Sequence, residues 1–312
     1  MRYLVTGANG FVGKALTNEL LQRGQLVRSA TRSEHKAIRD CEPVITGPVD
    51  GCTDWAAALH GVDIVVHLAA RVHVMHDPSK NPLSAFRQVN TQGTLNLARQ
   101  GAAAGVKRFV FISSVKVNGE GTQPGHAFSE EDPPHAQDAY GISKQEAEQG
   151  LRTIAAETGM EVVIIRPPLV YGPGVQANFL ALMQAVLRGW PLPLGAVHNQ
   201  RSLVALDNLL DFIVTCATHP QAANQTFLVS DGCDLSTAQL ARGLAQAAGV
   251  PVRLLPIPVW IVQAVASALG RHAAVQRLCG NLQVDISKAQ HVLEWLPPIK
   301  VDEALRRAVG SA

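Results

Sequence analysis

Long apolar runs are scarce in this sequence of 312 residues. The longest, VWIVQAVASALG from Val259, is interrupted by Gln263 and falls far short of a membrane span. The opening MRYLVTGANG has too short an apolar stretch for a secretory signal. Blocks of like charge are also missing. Twenty-seven basic residues against 25 acidic ones leave a net charge of +2, which gives no reason to invoke nucleic acid. The five cysteines (Cys41, Cys52, Cys216, Cys233, Cys279) are scattered, odd in number and never in a CxxC. That pattern speaks against a disulfide framework and fits free thiols in a reducing compartment. A soluble cytoplasmic protein is expected. Tyrosine is rarer still, with three in the chain, so each one is informative.

What is present is a core-sized apolar content, 47% of residues, enough for one large α/β domain or a domain with a smaller lobe. The runs RYLVT, QLVRSA, PVITG, VDIVVHLA, RFVFIS and EVVIIRP each read as buried strands. Helical patterns such as VGKALTNELLQRG and NTQGTLNLARQGAAAG separate them. The alternation predicts an α/β fold of Rossmann type, a doubly wound parallel sheet covered on both faces. Beyond RPPLVYGPG the strands thin out and helical stretches dominate. The expected division is a dinucleotide-binding domain over residues 1–170 and a smaller, mostly helical substrate lobe over 171–312, with about 200–232 returning to the first unit.

TGANGFVG sets Gly7, Gly10 and Gly13 at the first strand–helix junction. A tight turn, a close backbone approach to a pyrophosphate and close helix–strand packing require glycine at such places. The following helix N-terminus then offers unpaired N–H groups to phosphate. The spacing is GxxGxxG rather than GxGxxG. The second strand ends in Thr31, Arg32 and Ser33, where an NAD-preferring chain carries a carboxylate for the ribose hydroxyls. Arg32 suits a 2′-phosphate, with Thr31 and Ser33 as hydrogen-bonding partners; a surface arginine on a loop is the plainer alternative.

YGISK places Tyr140 and Lys144 four residues apart, on one helix face. A surface Tyr–Lys pair would look the same in isolation. Upstream, however, SSVKVNG puts Ser113 and Ser114 at the end of RFVFIS, on the sheet edge where parallel sheets bind ligands. A phenol ionising near 10 is a poor base at neutral pH, but a neighbouring ammonium favours its anion, and a serine hydroxyl can hold a substrate oxygen.

With TGANGFVG, HLAARVHV, NTQGT, SSVKVNG, YGISK and RPPLVYGPG in that order, the chain resembles the extended short-chain dehydrogenase/reductases, in particular their nucleotide-sugar epimerase/dehydratase branch. The resemblance implies a catalytic trio of Ser114, Tyr140 and Lys144. It implies cofactor contacts from Gly7, Asn9, Gly10, Phe11, Val12, Gly13, Val49, Leu68, Ala69 and Ala70, with Asn90 orienting the lysine through water and Pro167 and Val170 beside the nicotinamide. For substrate it implies Arg201 on the diphosphate, Asn178 at the diphosphate or sugar, Leu192 and Leu194 at the base and Arg277 as a second cation. Arg71, Ser114 and Lys116 complete the substrate set. Pro48 departs from the acidic residue usual before the adenine-packing position, and Asn118 from the tyrosine usual before the glycine of SSxxVYG.

Dehydratases carry a carboxyl pair where this chain has Val115 and Lys116, so dehydration is not expected. The stretches SSVKVNGEGT, RPPLVYGPGVQANF and NQRSLVALDNL most resemble 4-ketoreductases of bacterial O-antigen assembly. The implied reaction is NADPH-dependent reduction of a UDP-4-keto-6-deoxy-N-acetylhexosamine to UDP-N-acetylquinovosamine or UDP-N-acetylfucosamine. NADP(H) is favoured, with NAD(H) as the alternative cofactor. The alternative enzyme is a UDP-hexose or UDP-N-acetylhexosamine 4-epimerase with tightly held NAD. A catalytically idle NADPH sensor or scaffold on the same fold is the rival from another class. A homodimer is implied through LNLARQGAAAG and the Tyr140 helix. HVMHD, with His73, His76 and Asp77, lacks third and fourth ligands at a telling spacing, so no metal is expected.

Overall fold

A computed structural model describes residues 1–32, 41–72, 81–268 and 272–310, with 272–274 described by backbone alone. Its strands are β1 (Arg2–Thr6), β2 (Leu26–Thr31), β3 (Glu42–Ile45), β4 (Ile64–His67), β5 (Arg108–Ile112), β6 (Glu161–Arg166), β7 (Leu169–Tyr171), β8 (Leu203–Ala205) and β9 (Thr226–Leu228). The described helices of the first half are α1 (Phe11–Gln22), α2 (Ala56–Leu59), α3 (Pro82–Phe86), α4 (Thr94–Ala103) and α5 (Ala139–Thr158). Those of the second half are α6 (Ala177–Leu187), α7 (Leu206–Thr218), α8 (Thr237–Ala248), α9 (Val259–Ala268), α10 (His272–Cys279), α11 (Ser287–Leu293) and α12 (Val301–Val309).

Seven strands form one parallel sheet in the order β3-β2-β1-β4-β5-β6-β9. The chain reverses direction across the sheet between β1 and β4, and ligands bind at the strand C-termini beside such a switch point. Alternation along each strand sorts its side chains to two faces. Val110 and Ile112 of β5 point to a core closed by α1, α7 and α11, while Phe109 and Phe111 point to one closed by α2, α4 and α5. Leu151 and Ile154 bury the inner face of α5 there, each contributing about 1.5–3 kcal/mol. PVITG, read as buried, is instead the outer strand β3 with Glu42, Pro43 and Ile45 exposed, because nothing among the described residues pairs beyond it.

β9 closes the far side of the sheet against β6, and α7 supplies seven side chains to the core on the α1 side. A third core, built from α6, α8, α12 and the short β7-β8 pair, lies in the second half of the chain. There α8 begins in a reciprocal cap between Ser236 and Gln239 and stops at Gly249 in the left-handed region.

Candidate active site

The glycine loop follows β1. Gly7 has φ +65°, and a Cβ there would lie 2.7 Å from the Ala69 nitrogen of the neighbouring loop. A Cβ on Gly13 would overlap the Gly7 carbonyl. Gly10, by contrast, is exposed, and an added Cβ would meet only the Gly7 oxygen at 3.2 Å, so its outer side is open. Helix α1 starts there with no side-chain cap, leaving its first amides to donate to an anion. Phe11 and Val12 pack inward against the core, so their share in such a site is through the backbone; Asn9 is exposed beside them. This cradle fits a dinucleotide pyrophosphate.

Around it stand the other expected cofactor residues. Thr31 is buried at the end of β2 and its carbonyl accepts from Thr46, whereas Arg32 is exposed; Ser33 lies outside the described residues, as do His73, His76 and Asp77. Val49 packs against Gly93 and the α4 core, and the carbonyl of Pro48 accepts from the Thr53 hydroxyl. Leu68, Ala69 and Ala70 follow β4, with Thr6 Oγ1 accepting from the Ala69 amide. Pro167 is buried after β6, its carbonyl accepting from the Val115 amide, and Val170 is partly buried on the sheet core.

Asn90 sits in a π-helical segment, Arg87–Gly93, leading into α4, a local widening frequent at functional sites. Its side chain binds both backbone groups of Arg71 (2.8 and 3.0 Å) and donates to Ser143 Oγ at 3.0 Å. It thereby anchors the loop after β4 to α5. Arg71 lies over Phe86, which meets the Tyr140 ring edge-on at 6.2 Å.

Helix α5 is capped by Asp138, whose carboxylate accepts from the Gly141 amide at 2.6 Å. Tyr140 stands in its first turn and Lys144 one turn on. Of the three tyrosines, Tyr3 and Tyr171 are buried in cores and Tyr171 donates to Asp231; Tyr140 is partly exposed. Burial, aided by Asp138, pushes its phenol up to about 12, while a hydrogen bond with Ser114 pulls the other way. Ser114 follows β5 and caps a short turn through the Lys116 amide. Lys144 is 2% exposed and donates to the Ile112 carbonyl at 2.8 Å. Burial pulls its ammonium down to about 7, opposed by Glu148. The trio thus meets at the C-terminal edge of the sheet, with the phenol protonated at neutral pH.

Behind it lies a polar cluster with little trace in the sequence. Glu148, one turn beyond Lys144, takes both Arg166 Nε (2.9 Å) and Nη2 (2.6 Å) and the Ser113 hydroxyl (2.6 Å). Arg166 also donates to Asn118 Oδ1, whose amide donates to the Ser129 carbonyl. This explains the departure at Asn118: the amide joins β6 to the loop after β5. The only local signal for it in the sequence is the i+4 spacing from Lys144 to Glu148. Lys116, expected in the substrate set, pairs its ammonium with Glu120 at 3.1 Å and with Asp138, and so braces the start of α5. His67, in HLAARVHV, is wholly buried between Thr6 and Thr94 hydroxyls and stacked on Phe111. Burial holds it near 3, hence neutral.

From Leu169, two residues past Pro167, a cleft of about 660 Å³ runs into the second half of the chain. It gathers Asn178, Leu192, Leu194, Arg201 and Arg277, separated by a hundred residues in sequence. Arg201 is half-buried, donates to the Gly280 carbonyl at 3.1 Å and has its pKa lowered by burial. Asn178 is exposed at the start of α6. The remaining lining is chiefly apolar, from α6, α8, α9 and the segment around Ile257.

A parallel nucleotide-binding sheet with a Ser–Tyr–Lys site at its ligand edge defines a dehydrogenase/reductase-type enzyme. A model of the NAD dependent epimerase/dehydratase family matches residues 3–230, and the chain belongs to that family. A UDP-glucose 4-epimerase of Vibrio cholerae is 49% identical over 97% of this chain and 93% of its own length. An N-acetyl-α-D-glucosaminyl-diphospho-ditrans,octacis-undecaprenol 4-epimerase of Escherichia coli O157:H7 is 28% identical over 98% and 93%. In fold, the chain matches a UDP-glucose 4-epimerase from Thermotoga maritima with a TM-score of 0.79 at 23% identity, covering 100% and 98% of the two chains.

Proposed function

We propose that this enzyme reduces the C4 ketone of a UDP-4-keto-6-deoxy-N-acetylhexosamine, giving UDP-N-acetylquinovosamine or UDP-N-acetylfucosamine for bacterial O-antigen polysaccharide. The observation that carries the reading is the neutral phenol of Tyr140 beside Ser114 and Lys144 at the C-terminal edge of the sheet. A reductase needs a protonated acid in its resting state, and burial keeps this phenol protonated. The sugar carbonyl oxygen would accept from Ser114 and Tyr140, and Tyr140 would deliver its proton as charge develops. The buried Lys144 then faces a nascent phenolate, which draws its ammonium back into the charged state.

The glycine loop, Val49, Leu68 to Ala70, Asn90 and the Pro167–Val170 segment would hold a nicotinamide dinucleotide, which supplies the hydride. The end of β2, without a carboxylate and with Arg32 exposed, favours NADP(H); NAD(H) is the alternative. Arg201 and Arg277 provide two cations for a diphosphate, with Asn178 on the sugar side and Leu192 and Leu194 beside the base. A homodimer through α4 and α5 completes the proposal; light scattering on the purified protein tests it.

The likeness to the Vibrio epimerase favours a second reading, 4-epimerisation of a UDP-hexose or UDP-N-acetylhexosamine with retained NAD. One experiment separates them. The dinucleotide released from purified protein is identified, and oxidation of added NADPH is followed with the 4-keto sugar. Exchangeable NADP(H) and stoichiometric NADPH oxidation support the reductase. Retained NAD with interconversion of C4 epimers supports the epimerase, and no turnover of either kind supports the idle sensor.

A further inference from the structure

Charge is unevenly spread along the chain. No aspartate or glutamate occurs between Glu161 and Asp207, or between Asp234 and Asp285, and every formally cationic side chain in these two stretches is an arginine. Arg166 is spent in the buried cluster, and Arg201 and Arg277 line the cleft. Arg188 and Arg253 are exposed.

These two acid-free stretches meet. Leu192 donates to the Arg253 carbonyl at 2.8 Å, Leu255 donates back to Leu192 at 2.8 Å, and Gly195 donates to Leu255 at 2.9 Å. Large apolar side chains stand out on both segments and on the helix that follows: Trp190 is 56% exposed, Leu255 44%, Trp260 68% and Val265 55%. Arg188 covers the Trp190 ring at 5.6 Å. Helix α9 carries no charged residue, and its Ile261, Val262 and Val265 line the cleft while Trp260 faces solvent. Val265 and Leu169 are both exposed and both part of the cleft wall, so the apolar surface runs continuously into it.

We infer that this face docks onto an anionic lipid bilayer, with the cleft opening at the membrane surface. Exposed tryptophans flanked by arginines suit the headgroup boundary, where an indole has one side apolar and the other wet and a guanidinium reaches lipid phosphate. The two stretches contribute no carboxylate to this face, so they add none of the repulsion that an acidic segment would meet, and the surface potential of such a leaflet favours each arginine. An interface of this kind adsorbs and releases; no described helix is long and apolar enough to cross a membrane.

The full chain is tested by sedimentation with vesicles of phosphatidylcholine alone and of phosphatidylcholine with about a third phosphatidylglycerol. Binding to the anionic vesicles is expected to be about thirtyfold tighter, the factor carried by two surface arginines, and to weaken as salt rises. Brominated acyl chains should quench fluorescence on binding. Trp55 and Trp295 are buried in cores, so the quenched signal belongs to Trp190 and Trp260. The Trp190→Ser/Trp260→Ser double variant should lose vesicle binding at least tenfold, and Arg188→Gln/Arg253→Gln should lose the preference for anionic lipid. Both should keep unchanged turnover in solution. The inference is overturned by equal binding to both vesicle types, by no quenching, or by light scattering that shows a dimer which Trp260→Ser converts to monomer, since a second copy would then occupy the face.

Discussion

Replacing Glu148 with glutamine removes the carboxylate from an enclosed cluster in which every partner donates to it. Its two oxygens take two nitrogens of Arg166 and the Ser113 hydroxyl, with Arg152 reaching in from the surface. Glu148 is 1% and Arg166 2% exposed, so no water replaces what is lost. A glutamine keeps one acceptor oxygen but turns its amide N–H₂ toward the donors on the other side, and leaves the Arg166 charge with only the neutral amide oxygens of that side chain and Asn118 to receive it. Breaking a buried pair in this way costs about 3–5 kcal/mol, and Arg166→Met, which leaves the carboxylate only Ser113 and the outer Arg152, falls toward the lower end of that range. The double variant Glu148→Gln/Arg166→Met removes both charges and leaves only neutral groups underbonded, the introduced amide, Ser113 and Asn118, at about 1–3 kcal/mol. The two single losses should therefore not add. Urea unfolding of the four proteins reads this directly, with an unchanged slope marking a native-state effect. Single variants within about 1 kcal/mol of the parent, or additive losses, would refute the reasoning. The cluster ties the ends of β5 and β6 to α5, so Ser114 and Lys144 should also lose register. Turnover in Glu148→Gln should fall more than cofactor binding.

Tyr140→Phe should keep the fold and dinucleotide binding while turnover drops about 10²–10⁴-fold, as loss of a positioned acid does; initial rates and cofactor titration check both halves. Lys144→Met probes pH. The folded lysine titrates near 7 against about 10.4 unfolded, so the unfolded chain binds the extra proton between those values and parent stability rises with pH across that window. The variant lacks this penalty. Its gain over the parent should be largest near pH 6, on the order of 4 kcal/mol, and should fade by pH 10 in chemical denaturation. Arg201→Met should raise the KM for a UDP-sugar about 10–100-fold with little change in kcat, the loss of one charge-assisted contact. Gly13→Ala should abolish dinucleotide binding or folding, because its Cβ overlaps the Gly7 carbonyl. Gly24→Ala, at φ +71° with open space around it, should cost about 1–2 kcal/mol in thermal melts.

The β1–glycine loop–α1 unit and the Tyr140–Lys144 pair were legible because local spacing determines them. A turn needs its glycines, and a helix brings i and i+4 together. The alternation of strands and helices likewise carried the parallel sheet. Arg201, Asn178 and Arg277 converge on one cleft, but they were reached by likeness to a family, not by any period in the residues themselves. What stayed hidden was polar and long-range. Arg166 and Asn118 would each pass for surface residues, and their pairing across 48 positions becomes visible only once β6 lies beside the turn after β5. The pairing of Lys116 with Asp138, the cap of α5, likewise spans 22 positions and has no local period. PVITG looked apolar enough for the interior, but its place at the outside of the sheet is set by strand order, which composition does not encode.

The central claim, that Tyr140 hands a proton to a sugar oxygen while hydride arrives at C4, is met most directly by isotope transfer. NADPH deuterated at the transferable position of the nicotinamide should leave its deuterium on C4 of the UDP-deoxyhexosamine product, one label per NADPH oxidised, and Tyr140→Phe should form almost none. Label appearing elsewhere on the sugar, or undiminished incorporation by the Tyr140→Phe protein, would contradict the account.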